Sequence, residues 1–172
     1  WIAVPTLSPG WRDDYEGAPA VEEVATVGLL TKATLRDDEN YDVVIRGEMR
    51  ALLEEESTTN LYRMARVTPW LDTDGGEWLS DASGYLTLLQ LVSSLSPFMG
   101  ETAVEMANLV QSAPDRSIGV YRLASVIVQD TNRRQRLLQT HRLDERIALV
   151  AEVLSEALAM ALGATWQTDL PT

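Results

Sequence analysis

The spacing of apolar residues changes partway along the chain. In the first part they come in short runs: Ile2-Ala3-Val4, Val21 to Leu30, Tyr41 to Ile45, Ala51-Leu52-Leu53 and Tyr62 to Val67. These runs are β-branched, aromatic or aliphatic, and Pro9-Gly10, Gly17-Ala18-Pro19, Asp37-Asp38-Glu39-Asn40 and Arg46-Gly47 punctuate them. Gly and Asn tolerate turn dihedrals and Pro cannot sustain a central ladder, so the pattern predicts short strands in a small twisted barrel or sandwich. Alternation in Tyr41-Asp42-Val43-Val44-Ile45 is imperfect, which predicts a strand covered on both faces.

From Tyr85 the period becomes helical, with Tyr85, Leu88, Leu89 and Val92 on one face and Ser96-Pro97 ending the run. A second helix is predicted over 101–112, with Val104, Ala107 and either Val110 or Met106 inward. After Pro114-Asp115 a third covers 116–128, burying Ile118, Tyr121, Leu123 and Ile127. A short piece over 133–139 precedes the clearest helix, capped by Asp144 and carrying Ile147, Val150, Ala151, Leu154, Leu158, Ala161 and Leu162 as one stripe until Gly163. Turn residues cluster at Asp72-Thr73-Asp74-Gly75-Gly76, so the expected division is a β-rich part, 1–76, and a helical bundle, 77–172. The fold class is therefore α+β, and no internal repeat or low-complexity tract is evident.

A chain of 172 residues, 45% hydrophobic and 23% charged, is large enough for a real core. No apolar run approaches the ~20 residues that span a bilayer, and no basic segment leads into an apolar stretch at the start, so neither a membrane nor a signal peptide is expected. The absence of cysteine removes disulfides, thiolate nucleophiles and Cys-based metal sites, and the default expectation is a cytoplasmic protein. The net charge of -12 is uneven: residues 1–78 hold 7 basic and 16 acidic side chains, residues 79–172 hold 7 and 10. Such a surface repels phosphate backbones, which disfavours nucleic acid as a partner.

Three stretches, in order, carry a family resemblance. Leu7-Ser8-Pro9-Gly10-Trp11, then Asp14-Tyr15-Glu16-Gly17 and Val24-Ala25-Thr26-Val27-Gly28, form the first. The second is Tyr41 to Arg50, with its Arg46-Gly47 turn, followed by Tyr62-Arg63-Met64-Ala65-Arg66-Val67. The third is Arg134-Gln135-Arg136-Leu137-Leu138 leading to Asp144-Glu145-Arg146. Together they resemble the N-terminal, substrate-binding domain of Lon proteases and its free-standing relatives. The resemblance covers most of the chain and implies a PUA-like small β-barrel subdomain followed by an α-helical bundle, in a module that recognises proteins. Gln139 stands where many relatives carry Glu. The family also opens with a Pro-rich strand and a helix bearing Phe-Glu-Pro-Arg-Tyr, which are missing here; a sheet lacking that strand would expose unpaired edge groups.

Catalytic chemistry finds no support in the residues. Lon-type ATP hydrolysis needs a Gly-rich loop ending in Gly-Lys-Ser/Thr, whereas Lys32, the only lysine, follows Thr31 without one. The same lysine lies in a β segment, outside any Ser–Lys protease motif. His141, the only histidine, is expected as a loop side chain. Asp72-Thr73-Asp74-Gly75 resembles the start of a calcium loop, but Gly76, Glu77 and Ser83 fill the later positions wrongly. No cofactor, metal or catalytic residue is therefore expected. The carboxylates Asp13-Asp14-Glu16, Asp37-Asp38-Glu39 and Glu54-Glu55-Glu56 read as solvated turns and strand ends. Arg133, Arg134, Arg136, Arg142 and Arg146 read as helix-surface ion-pairing groups, with Glu145 and Asp130 as partners.

Recognition offers better candidates. Trp11 and Tyr15 stand in a polar, Gly-bounded loop, where they either pin that loop or bind a partner. Arg46 and Arg50 bracket a turn, their forked guanidiniums suited to turn carbonyls or Glu48. Trp70 and Trp78 are expected to pack at the subdomain boundary. The expected function is a non-catalytic protein- or peptide-recognition module, with Trp11, Tyr15, Arg46 and Arg50 as peptide-binding candidates. Its partners would be unfolded or extended protein segments, with a protease or chaperone as a further partner. The alternative is the N-terminal fragment of a full ATP-dependent Lon serine protease.

Overall fold

Among the described residues every strand pairs with its neighbour in sequence. In the computed structural model, which describes residues 1–73 and 82–168 (for 82 and 164–168 the backbone alone), the sheet order is β1-β2-β3-β4, antiparallel throughout. The strands are β1 (Ile2–Val4), β2 (Val24–Leu35), β3 (Tyr41–Glu56) and β4 (Met64–Pro69), with a 3-10 turn, Trp11–Asp14, between the first two. The helices that follow are α1 (Ala82–Met99), α2 (Glu101–Gln111), α3 (Arg116–Ile127), α4 (Thr131–Gln139) and α5 (Leu143–Thr168). This is an α+β chain of two compact units, Trp1–Leu71 and Asp72–Thr172. The boundary expected at residue 76, and with it Trp78, lies outside the described residues.

In the first unit the strands are fewer and longer than the sequence pattern suggested. The runs Tyr41 to Ile45 and Ala51 to Leu53 are one strand, because Arg46-Gly47 is absorbed as extended backbone instead of turning. Gly28 makes this possible: a Cβ there would stand against the Arg46 carbonyl and an Ile45 methyl, so only glycine lets β2 lie this close to β3. Buried Val24, Ala25, Val27 and Ala51 form the core where β1 or β4 flanks the β2–β3 pair. Pairing of β1 with β4, which barrel closure would require, is not present among the described residues.

The second unit holds the larger core. Leu88, Val92 and Leu95 of α1 meet Met106 and Val110 of α2, Val120, Leu123 and Ala124 of α3, Leu137 of α4, and Ile147, Val150 and Leu154 of α5. Asp115 and Asp130 cap α3 and α4, each accepting a backbone N–H, from Ile118 and Arg133, at 2.8 Å. Burial also raises the pKa of the Tyr85 hydroxyl, which donates to the Val110 carbonyl at 3.0 Å.

Several helical expectations are corrected. Pro97 lies inside α1, in its last turn, and termination falls to Gly100, whose φ of 55° and N–H bond to the Ser96 carbonyl close the helix. In α2 Ala103 is buried and Val104 exposed, and in α3 Gly119 and Val120 face inward while Ile118 is exposed. Asp144 sits in the first turn of α5 and accepts the adjacent Glu145 N–H, and Gly163 does not stop that helix, which runs on to Thr168.

Arg146 departs most from expectation. Expected on the surface, it is fully buried, its two terminal nitrogens donating to the two Asp72 oxygens at 2.6 and 2.5 Å. The same nitrogens reach the Thr140 carbonyl and the Ser117 hydroxyl, both at 3.0 Å, and the guanidinium lies 5.0 Å from the centre of the Tyr121 ring. Asp72 is thus a helix-bundle anchor, not the opening of a calcium loop. Arg133 pairs with Glu156 and Arg142 with Asp144 and Glu145, as surface groups do, whereas Arg134 donates to the Val128 carbonyl at 2.5 Å.

Candidate recognition surface

The β2–β3 hairpin outgrows its sheet. β1 pairs with β2 only from Thr26 to Gly28, and β4 with β3 only from Ala51 to Glu56, so Leu29–Leu35 and Tyr41–Arg46 form a two-stranded arm. Opposed residues of an antiparallel pair share a face. Leu35 with Tyr41, Ala33 with Val43, and Leu30 with Ile45 therefore share one face, while Thr34 with Asp42 and Lys32 with Val44 share the other.

The first face is apolar from end to end and open to solvent: Leu35 is 61% exposed, Tyr41 62%, Val43 50% and Leu30 45%. Val44, on the opposite face, is exposed as well. This corrects the expectation that Tyr41 to Ile45 is covered on both faces. The apolar-rich run does not reflect two buried sides; it marks a ribbon that leaves its sheet. At the arm's tip Asp37, Asp38 and Glu39 are exposed as expected, with Glu39 at a φ of 63° and Arg36 within 3.6 Å of Asp38 and 3.4 Å of Asp42.

The peptide-binding candidates fall into two places. Trp11 and Tyr15 belong to the 3-10 turn and pack edge to face, ring centres 5.5 Å apart, with the Arg12 guanidinium 5.3 Å from the Trp11 ring. Trp11 is half-buried and Tyr15 is exposed, so the pair both pins its loop and presents a ring. Arg46 and Arg50 belong to β3. Arg46 donates to Glu48 at 2.6 Å, as the sequence suggested, and the half-buried Arg50 offers its carbonyl to the Trp70 N–H at 2.9 Å.

A third feature escaped the sequence reading. Arg63 grips both Glu55 oxygens and donates to the Pro19 carbonyl at 2.7 Å, tying the loop before β2 to the end of β3. The Arg63 hydrogen bonds hold the Glu55 carboxyl below its ordinary pKa, and the same bonds raise that of Arg63. Beside this pair lies an open depression lined by Ala18, Asn60, Leu61 and Tyr62, the last two strongly exposed. The spacing from Arg63 to Glu55 crosses a loop that only the β3–β4 register defines, so no local motif announced it.

His141 is half-buried and its carbonyl accepts the Thr73 N–H at 3.4 Å. Among the described residues no group of three or more His, Asp or Glu side chains could hold a metal ion, and no helix is long and apolar enough to cross a membrane. What the surface offers is apolar area, exposed rings and acidic rims, the materials of binding.

Comparison with known proteins agrees in kind. The family described as the ATP-dependent protease La (LON) substrate-binding domain matches residues 2–156. Among solved structures, the N-terminal domain of a Mycobacterium avium complex Lon protease superimposes with a TM-score of 0.57 at 16% identity, covering 90% of each chain. No curated protein sequence matches.

Proposed function

The chain belongs to the family of Lon substrate-binding domains, and from that premise we propose that it is a non-catalytic module that holds extended, apolar segments of client proteins. The observation that carries this reading is the uncovered face of the β2–β3 arm, where Leu30, Leu35, Tyr41 and Val43 remain open to solvent. A contiguous exposed apolar patch is unfavourable in water unless something covers it, and a client segment stripped of its own fold carries the matching need. Tyr15 and Leu61 extend the exposed apolar area of the same unit. Specificity for sequence would be low and specificity for exposed apolar chain high, as substrate selection by fold state demands.

The test is a titration of the purified chain with an unfolded model protein and with the same protein in its native state. Saturable binding of the unfolded form alone, lost on Tyr41→Lys with Val43→Lys, is the expected result. Absence of binding up to high micromolar concentration removes the proposal. Whether recognition feeds a protease on the same polypeptide is decided by the reading frame past residue 172: a downstream Gly-rich phosphate loop and a Ser–Lys pair would make this the recognition domain of a complete protease.

A further inference from the structure

The two edges of the arm are unlike. β2 carries a bulge at Thr31, where its register with β3 shifts between Leu30 and Lys32, and that lysine is the only one in the chain. A bulge and an edge lysine are both devices that discourage a further strand. From Tyr41 to Gly47 β3 has neither, each residue having its partner on β2 in turn; its own bulge, at Glu48, lies just past that stretch. Its other side is open: β4 reaches only to Ala51 opposite Pro69, with one more bond from the Trp70 N–H to the Arg50 carbonyl. From Tyr41 to Met49 that edge has no strand partner among the described residues. The residues along it, Tyr41-Asp42-Val43-Val44-Ile45, favour extended backbone and include no proline.

We infer that this edge receives the client as an added strand. An extended segment of about seven residues pairs antiparallel with Tyr41–Gly47, in line with β4, and sets every second side chain beside Tyr41, Val43 and Ile45. The inference rests on the client-recognition reading and deepens it. It also fixes a direction and a charge. β3 begins at the arm's tip, so a strand antiparallel to it ends there. The tip segment, residues 36–42, carries four acidic side chains (Asp37, Asp38, Glu39, Asp42) against Arg36 alone, a net charge of 1 - 4 = -3. The segment recognised is therefore one with apolar residues at alternate positions and cationic residues at its C-terminal end.

A second copy of this chain fits the edge less well. The exposed apolar face offers on the order of 400 Å² per copy, about half of the ~800 Å² per partner that a stable interface buries. Two copies would also each bring a net charge of -12.

The experiment uses the whole chain and a dye-labelled, end-capped nonapeptide of alternating Val and Thr closed by two Arg residues, followed by fluorescence anisotropy. Two further forms carry N-methyl groups, one on the odd-numbered amides and the other on the even. An added strand turns only one set of amides toward β3, so one methylated form should bind at least tenfold more weakly than the other. Moving the two Arg residues to the N-terminal end should weaken binding about three- to tenfold at low salt, and Asp37→Asn with Glu39→Gln should abolish that difference. Equal affinities for the two methylated forms overturn strand addition, while an unfolded client that still binds leaves the recognition reading standing. A dimer in sedimentation that the peptide fails to dissociate overturns it too, by giving the edge to a second copy.

Discussion

Asp72→Ala should cost the second unit about 3 kcal/mol of stability, far more than its place at the unit's margin suggests. The mutation leaves the guanidinium of Arg146 where it is, fully buried, and removes the carboxylate that meets both of its terminal nitrogens. An ion left unpaired in the interior typically costs about 3–5 kcal/mol. The lower end applies here because the Asp72 side chain is 29% exposed and because the Thr140 carbonyl and Ser117 hydroxyl still accept from Arg146. Nε of Arg146, already buried without a partner, leaves no spare contact to compensate. The measurement is urea unfolding followed by helical circular dichroism, with Asp72→Ala, Arg146→Met and the double substitution compared. Replacing both charged groups removes the unpaired ion, so the double variant should be more stable than Asp72→Ala alone by roughly 1 kcal/mol or more. A loss below about 1 kcal/mol for Asp72→Ala, or strictly additive losses in the double variant, would refute the reasoning.

Leu154→Ala, in the middle of α5 and fully buried, should cost about 3 kcal/mol in the same unfolding assay, through lost burial and the cavity left behind. Gly28→Ala should destabilise the first unit, read as faster hydrogen exchange of the β2–β3 amides, since its Cβ would press on the Arg46 carbonyl. Glu55 and Asp144 are held below their ordinary pKa values by hydrogen bonds from Arg63 and Arg142. A carboxyl whose pKa is lower folded than unfolded contributes stability above the unfolded value, and that contribution is lost as pH falls through the folded one. Stability should therefore hold near neutrality and decline below the ordinary carboxyl values of 4.5 and 3.8, with Glu55→Gln and Asp144→Asn flattening the acid limb; the effect is small because both groups are exposed. Val43→Lys should leave stability within about 0.5 kcal/mol, because the site is open, yet weaken binding of an unfolded client several-fold in anisotropy.

What the sequence made legible was whatever local period or local chemistry controls. The switch from strand to helix, the stripe through Ile147, Val150 and Leu154, and Asp115 as the cap of α3 all follow from neighbours three or four positions apart. Pro97 misled because its cost depends on where it falls in a helix: in the last turn it removes one backbone bond, and Gly100 does the ending. Arg146 was invisible for a different reason. Its partner is 74 residues away, and a charged side chain among exposed arginines gives no sign that a distant carboxylate will draw it into the core.

The recognition arm shows the same limit more consequentially. Tyr41-Asp42-Val43-Val44-Ile45 is apolar enough to be a buried strand, and burial is the ordinary reading of such a run. Whether it is buried is set by how far β1 and β4 reach along their neighbours, and they stop at Gly28 and Ala51. The length of two other strands, and not the composition of β3, thus turns core-type residues into surface. In water such a surface is unfavourable unless something covers it, and the regular Tyr41–Gly47 edge of β3, against the bulged, lysine-bearing β2, favours that side for the cover. The aromatic loop, the feature most visible in the sequence, is secondary by this logic: Trp11 is partly spent on Tyr15 and Arg12, while Leu30, Leu35, Tyr41 and Val43 on the arm's apolar face are exposed.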